Sequence, residues 1–68
     1  MTKQQIAHKL RLLQDDMLEI ATAMDFYGGF NPLYSQHGRE LSGAAGLVAE
    51  WADEIEAEAH DEPNQTTA

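Results

Sequence analysis

Residues 25–38 read DFYGGFNPLYSQHG, and they hold all four Phe and Tyr residues of the chain, Phe26, Tyr27, Phe30 and Tyr34, around a Gly pair and an Asn-Pro. A glycine just past the last residue of an apolar-periodic segment closes a helix, since a left-handed residue there carries no Cβ penalty. Gly28 is therefore expected as the left-handed end of a first helix. Asn is a favoured N-cap, and Pro suits the first helical position because its absent N–H is not needed there, so Asn31-Pro32 opens a second helix. The GGFN between them has the length of a connection between antiparallel helices.

Working outward, Thr2 and Gln5 have the spacing of a capping box, in which each side chain satisfies a backbone N–H of the first turn. Apolar residues then recur at Ile6, Leu10, Leu13, Met17, Ile20, Met24 and Tyr27 in alternating steps of four and three. The same alternation runs through Tyr34, His37, Leu41, Ala44, Val48, Trp51 and Ile55. Both are seams of helical period. The prediction is a helical hairpin over residues 1–60, with a helix from about 3 to 27, a turn at 28–31 and a helix from about 32 to 60. Gly38 leaves one alternative, a break after a short first turn with Ser35 capping the main helix. The last residues, 61–68, form an acidic and polar tail expected to be disordered.

Helix 2 carries LSGAAGLVA at residues 41–49. Glycine inside a helix costs about 0.5–1 kcal/mol relative to Ala, so Ser42, Gly43, Ala45, Gly46 and Ala49 are read as a flat surface that lets another helix come close. Two helices cannot bury both seams together with Leu12, Leu18, Leu33 and Leu47. The expected fold class is therefore all-α, an antiparallel two-helix hairpin that dimerises into a four-helix bundle. Its core and dimer seam would be Ile6, Leu10, Leu13, Met17, Ile20, Met24, Leu41, Ala44, Ala45, Val48 and Ile55.

The totals point the same way. A chain of 68 residues falls below the size at which one core supplies more than about 3–5 kcal/mol. It has no Cys, which removes disulfides and thiolate metal sites and leaves self-association as the supplement. TKQQIAHKLR after the first Met is polar and periodic, so neither a signal peptide nor a membrane span is expected, and the expected location is cytoplasmic. A net charge of −8 repels phosphates and anionic lipid and argues against direct nucleic-acid binding. The charge is uneven: Lys3, Lys9 and Arg11 precede every acid, and eight acids lie between Glu40 and Glu62 with no Lys or Arg among them. An antiparallel hairpin brings the three bases beside Glu54, Glu56 and Glu58.

Candidate chemistry is sparse. Glu56 with His60 and His37 with Glu40 are spaced as ligand pairs, but a bundle metal site needs several such residues converging inward, and no metal or other cofactor is expected. Ser35 beside His37 does not form a nucleophile pair, because near neighbours on a helix do not face each other. No catalytic residue is assigned. Asp16-x-x-Glu19 and Glu50-x-x-Asp53 resemble the paired acidic motifs of the all-helical nucleotide pyrophosphatases, which hold magnesium between helices; the chain departs from that family by its Asp in the first place and its lack of further helices. The acids at Glu50, Asp53, Glu54, Glu56, Glu58, Asp61 and Glu62 also suggest a DNA mimic. Tyr, Trp and Arg are enriched at binding hot spots, which makes Tyr27, Phe30, Tyr34, Arg39 and Trp51 the candidate partner-binding residues. Tyr27, Tyr34 and Trp51 also fall in the seams, whereas Phe30 sits in the turn and either plugs the bundle end or is displayed.

With its length, absent Cys, single hairpin and the stretch GRELSGAAGLVAEWADEI at 38–55, the chain resembles the small acidic helical hairpins that bacteriophages encode to inhibit host proteins, the quorum-sensing anti-activators among them. The resemblance implies a homodimer that binds a host protein through exposed helix surface and inhibits it. The expected partner offers a basic or hydrophobic groove; neither nucleic acid nor membrane is an expected partner.

Overall fold

The computed structural model describes residues 1–61, and in them the chain is an antiparallel pair of helices with no strand. Helix α1 spans Lys3–Tyr27 and helix α2 spans Pro32–Asp61. The expected tail lies outside the described residues, apart from Asp61, which ends α2.

Helix α1 contains neither Gly nor Pro, and its first turn is closed by the capping box. The Gln5 N–H donates to Thr2 Oγ1 at 3.1 Å while the Thr2 N–H donates to Gln5 Oε1 at 2.8 Å. At the start of α2 the Leu33 N–H donates to Asn31 Oδ1 at 3.0 Å, so Asn31 caps the helix as its sequence position predicts. α2 runs through Gly38 without a break.

Gly28 differs from expectation. It keeps right-handed helical geometry (φ −61°, ψ −22°), and no described residue has a positive φ. Its glycine serves approach, since a Cβ there would overlap the Ser35 hydroxyl and lie 3.0 Å from the Asp25 carbonyl oxygen. Hydrogen bonds from Gly28 N to Asp25 O, and from Phe30 N and Asn31 N to Tyr27 O, complete the reversal.

The two helices close on each other along a line of small residues. In a seven-residue register lettered a to g, position a is Ala7, Gln14 and Ala21 in α1 with Gly28 just past its end, and Gly38, Ala45, Ala52 and Ala59 in α2. Position d is Lys3, Leu10, Met17 and Met24 in α1, and Tyr34, Leu41, Val48 and Ile55 in α2. Among the described residues the buried apolar side chains are Ala7, Ala21, Ala45, Val48, Ala52 and Ala59. At Gly38 a Cβ would stand 3.0 Å from the Ala21 carbonyl oxygen, so backbone meets backbone near the turn.

This line is displaced by one residue from half of the apolar periodicity. Leu10, Met17 and Met24 in α1, with Leu41, Val48 and Ile55 in α2, belong to both lines. Ile6, Leu13, Ile20 and Tyr27, and opposite them His37, Ala44 and Trp51, stand one position aside, at g. The small residues of helix 2 also divide. Ala45 is buried against α1, whereas Gly43 and Gly46 face open space on the outer surface. Gly43→Ala and Gly46→Ala are therefore expected to stabilise the protein by about 0.5–1 kcal/mol each through helix propensity and unfolded-state entropy. Gly38→Ala is expected to destabilise it despite the same propensity gain, because the new methyl meets a backbone carbonyl; urea titration of the three variants checks both signs.

Candidate interaction surfaces

The hairpin has two unlike sides. In an antiparallel pair the e positions of both helices share one side and the g positions share the other. On the e side, Arg11 reaches across to α2. Its Nε donates to Glu56 Oε2 at 3.2 Å, and its Nη2 donates to Glu56 Oε1 at 3.0 Å and to Asp53 Oδ1 at 2.8 Å. Lys3 at position d pairs with Glu58 at position g, at 3.5 Å, on the opposite side at the open end. Of the expected cross-hairpin partners, Lys9 and Glu54 make no such contact (see below). Toward the turn the e side holds a shallow hollow of about 310 Å³ lined by Ala21, Thr22, Asp25, Gly38, Arg39 and Ser42.

The Arg11 hydrogen bonds, and then its charge, hold the Glu56 carboxyl below the ordinary carboxylate range, while the two acids raise Arg11 above its own ordinary value. A carboxylate whose pKa is lower folded than unfolded contributes stability above its unfolded pKa and loses it as pH falls through the folded one. The stability difference between the parent and Arg11→Met is therefore expected to shrink as pH is lowered through the carboxylate range, as read from thermal melts at a series of pH values. Solvent screening keeps this contribution small.

The g side is apolar between His37 at the turn end and the Lys3–Glu58 pair at the open end. Ile6, Leu13, Ile20 and Tyr27 from α1 join Ala44 and Trp51 from α2 on either side of the d residues, with His37 at the turn end of the α2 row and Glu58 at its open end. Leu13, Ile20, Tyr27 and Trp51 keep 48, 52, 54 and 48 % of their surface exposed, although the core beneath them consists of Ala and one Val. The seam read from the sequence is thus, apart from Ala45 at position a, this d and g face of the hairpin. Ala45 and Val48 of that seam are buried, Leu13 and Ile20 are exposed, and the remaining members are half-buried.

The candidate partner-binding residues do not form one patch. Tyr27, Phe30 and Tyr34 gather at the turn, where the Tyr27 and Tyr34 rings lie 6.0 Å apart and Phe26 stacks edge-on to Tyr27 at 5.3 Å. Phe30 is 82 % exposed, and so is displayed in the hairpin. Trp51 lies toward the open end, and Arg39 lines the hollow on the opposite side. Phe26 and Leu33 also project at the turn end; neither belongs to a seam, and their adjacency to Tyr27 and Tyr34 was the available signal. His37 Nδ1 donates a 3.1 Å hydrogen bond to the Glu40 carboxylate beside them.

The acids spaced as a magnesium motif sit apart from any such cluster. Asp53 is engaged by Arg11, Asp16, Glu19 and Glu50 lie at positions c and f, away from the helix contact, and no group of three or more His, Asp or Glu among the described residues could hold a metal ion. No described helix is long and apolar enough to cross a membrane. No family model, curated protein or solved structure matches the chain.

Proposed function

We propose that the chain is an acidic, homodimeric, non-enzymatic interaction module in which two hairpins pair into a four-helix bundle that binds and inhibits another protein, in the manner of the phage-encoded inhibitors it resembles. One observation carries the reading: all the aromatic side chains and many of the large aliphatic ones are exposed on the hairpin, while the buried side chains among its described residues are Ala and one Val. A methyl group contributes about 0.8 kcal/mol on burial, less than the roughly 1–2 kcal/mol of backbone entropy lost per ordered residue, so the hairpin depends on further burial. The d and g face serves the dimer, and the turn end, with Phe26, Phe30, Leu33 and Tyr34, serves the partner. Exposed aromatics of this kind supply most of the energy of an interface, and the acidic body speeds encounter with a basic surface.

The test uses immobilised protein against host extract, compared with a Phe30→Ala/Tyr34→Ala variant. A protein retained by the parent and lost by the variant, at unchanged helical content, is the expected result. Retention by both places the binding site away from the turn. Binding that weakens steeply with salt would instead favour carboxylate-based mimicry of DNA.

A further inference from the structure

The charges on the rims of the apolar face specify how it is covered. Position c borders g, so the c residues flank the face on both sides: Lys9, Asp16 and Ala23 along α1, and Leu33, Glu40, Leu47 and Glu54 along α2. Lys9 and Glu54 are exposed, and neither has a hydrogen bond or ion pair among the described residues. The neighbouring Arg11–Asp53 and Gly28–Ser35 contacts fix the register and set Lys9 and Glu54 at the same level along the hairpin. They are separated by the full width of the face and cannot reach one another within one chain.

We infer that a second copy of this chain covers the d and g face, related by a two-fold axis parallel to the helices, so that both turns lie at the same end. The inference rests on the homodimeric reading above. Rotation about that axis lays α1 over α2 of the second copy. Leu13 then meets the level of Trp51, Ile20 that of Ala44, and Lys9 comes over Glu54, once at each rim. A two-fold axis perpendicular to the helices would lay α2 on α2 and bring together two rims that carry Glu40 and Glu54 and no base. Like charges placed together at a rim disfavour a pairing that opposite charges would support.

The area is sufficient. From Ile6 to Tyr27 the face runs about 32 Å at 1.5 Å per residue, and two helices of about 10 Å diameter make it about 20 Å wide. Two copies would bury about 1,300 Å² in total, within the roughly 1,200–2,000 Å² of stable interfaces. Turns at the same end also join the aromatic clusters of both copies into one surface.

The experiment is sedimentation equilibrium on the full chain and on Lys9→Glu, Glu54→Lys and the double variant. Each single reversal is expected to weaken the dimer about tenfold, since it places like charges at both rims, and the double reversal to return it to within about threefold of the parent. A spin label on Gly29→Cys gives a second readout. The chain has no other Cys, and a Cβ at Gly29 meets open space. Turns at the same end place the two labels within about 30 Å, whereas turns at opposite ends separate them by about 45 Å, the length of a 30-residue helix. A dimer that ignores both reversals and shows the long distance overturns this arrangement and leaves the homodimer standing. A folded monomer for the parent chain overturns both.

Discussion

Ala52→Leu is expected to remove a large part of the hairpin's stability and to melt well below the parent chain. Ala52 has no exposed surface and sits on the line where α2 meets α1, near the level of Leu10 and Arg11. A Leu there adds three carbons at a position with no exposed surface. Overpacking of a filled core costs about 1–3 kcal/mol and sometimes more, against a total of about 3–5 kcal/mol for a core of this size. Moving the helices apart would also break the bidentate Arg11–Glu56 contact one turn away. Ala57→Leu adds the same volume on the exposed side of α2 and is expected to change stability by less than about 0.5 kcal/mol. Melting curves by circular dichroism compare the two. Equal stability for both variants would mean that the small-residue line does not hold the helices together.

The second large effect concerns the opposite side of the same seam. Leu13→Glu places a carboxylate at the centre of the apolar face, where a second copy would have to desolvate it. The cost of burying an unpaired charge runs to several kcal/mol, so a weakening of the dimer by at least about a hundredfold is expected, with helical content falling as subunits separate on dilution. Leu18 is similarly exposed but lies at position e, on the side of Arg11. Leu18→Glu is expected to leave association unchanged. Sedimentation of both variants across a dilution series makes the comparison, and an unaffected dimer in Leu13→Glu would move the interface to another face.

Much of the architecture was legible because its signals are local. Thr2 and Gln5 satisfy each other's backbone within one turn, and Asn31 caps α2 through its own side chain. The apolar period made both segments helical, and a four-residue connection left them no course except antiparallel. The candidate surface was legible only in part. Tyr27, Phe30 and Tyr34 lie within one stretch and end together at the turn, but Arg39 and Trp51 diverge because neighbours in sequence on a helix point around its whole circumference.

Gly28 shows a different limit. From sequence a glycine at a helix end suggests a left-handed cap; in the structure it is glycine because the Ser35 side chain occupies the space beside it. That reason belongs to a residue across the turn, and no local pattern contains it.

By itself the sequence determined two helices, their caps, the place of the reversal and the charge that spans the open end. Tertiary structure alone decided which line of each helix closes the hairpin. Leu10, Met17 and Met24 are flanked on one side by Ile6, Leu13, Ile20 and Tyr27, and on the other by Ala7, Gln14, Ala21 and Gly28. Both flanks share the same alternation of three and four, so periodicity cannot choose between them. Hydrophobic size points to the first flank, but two helices joined by a short turn approach backbone to backbone, and that approach admits only the small side chains of the second. Many of the large ones are left on the surface.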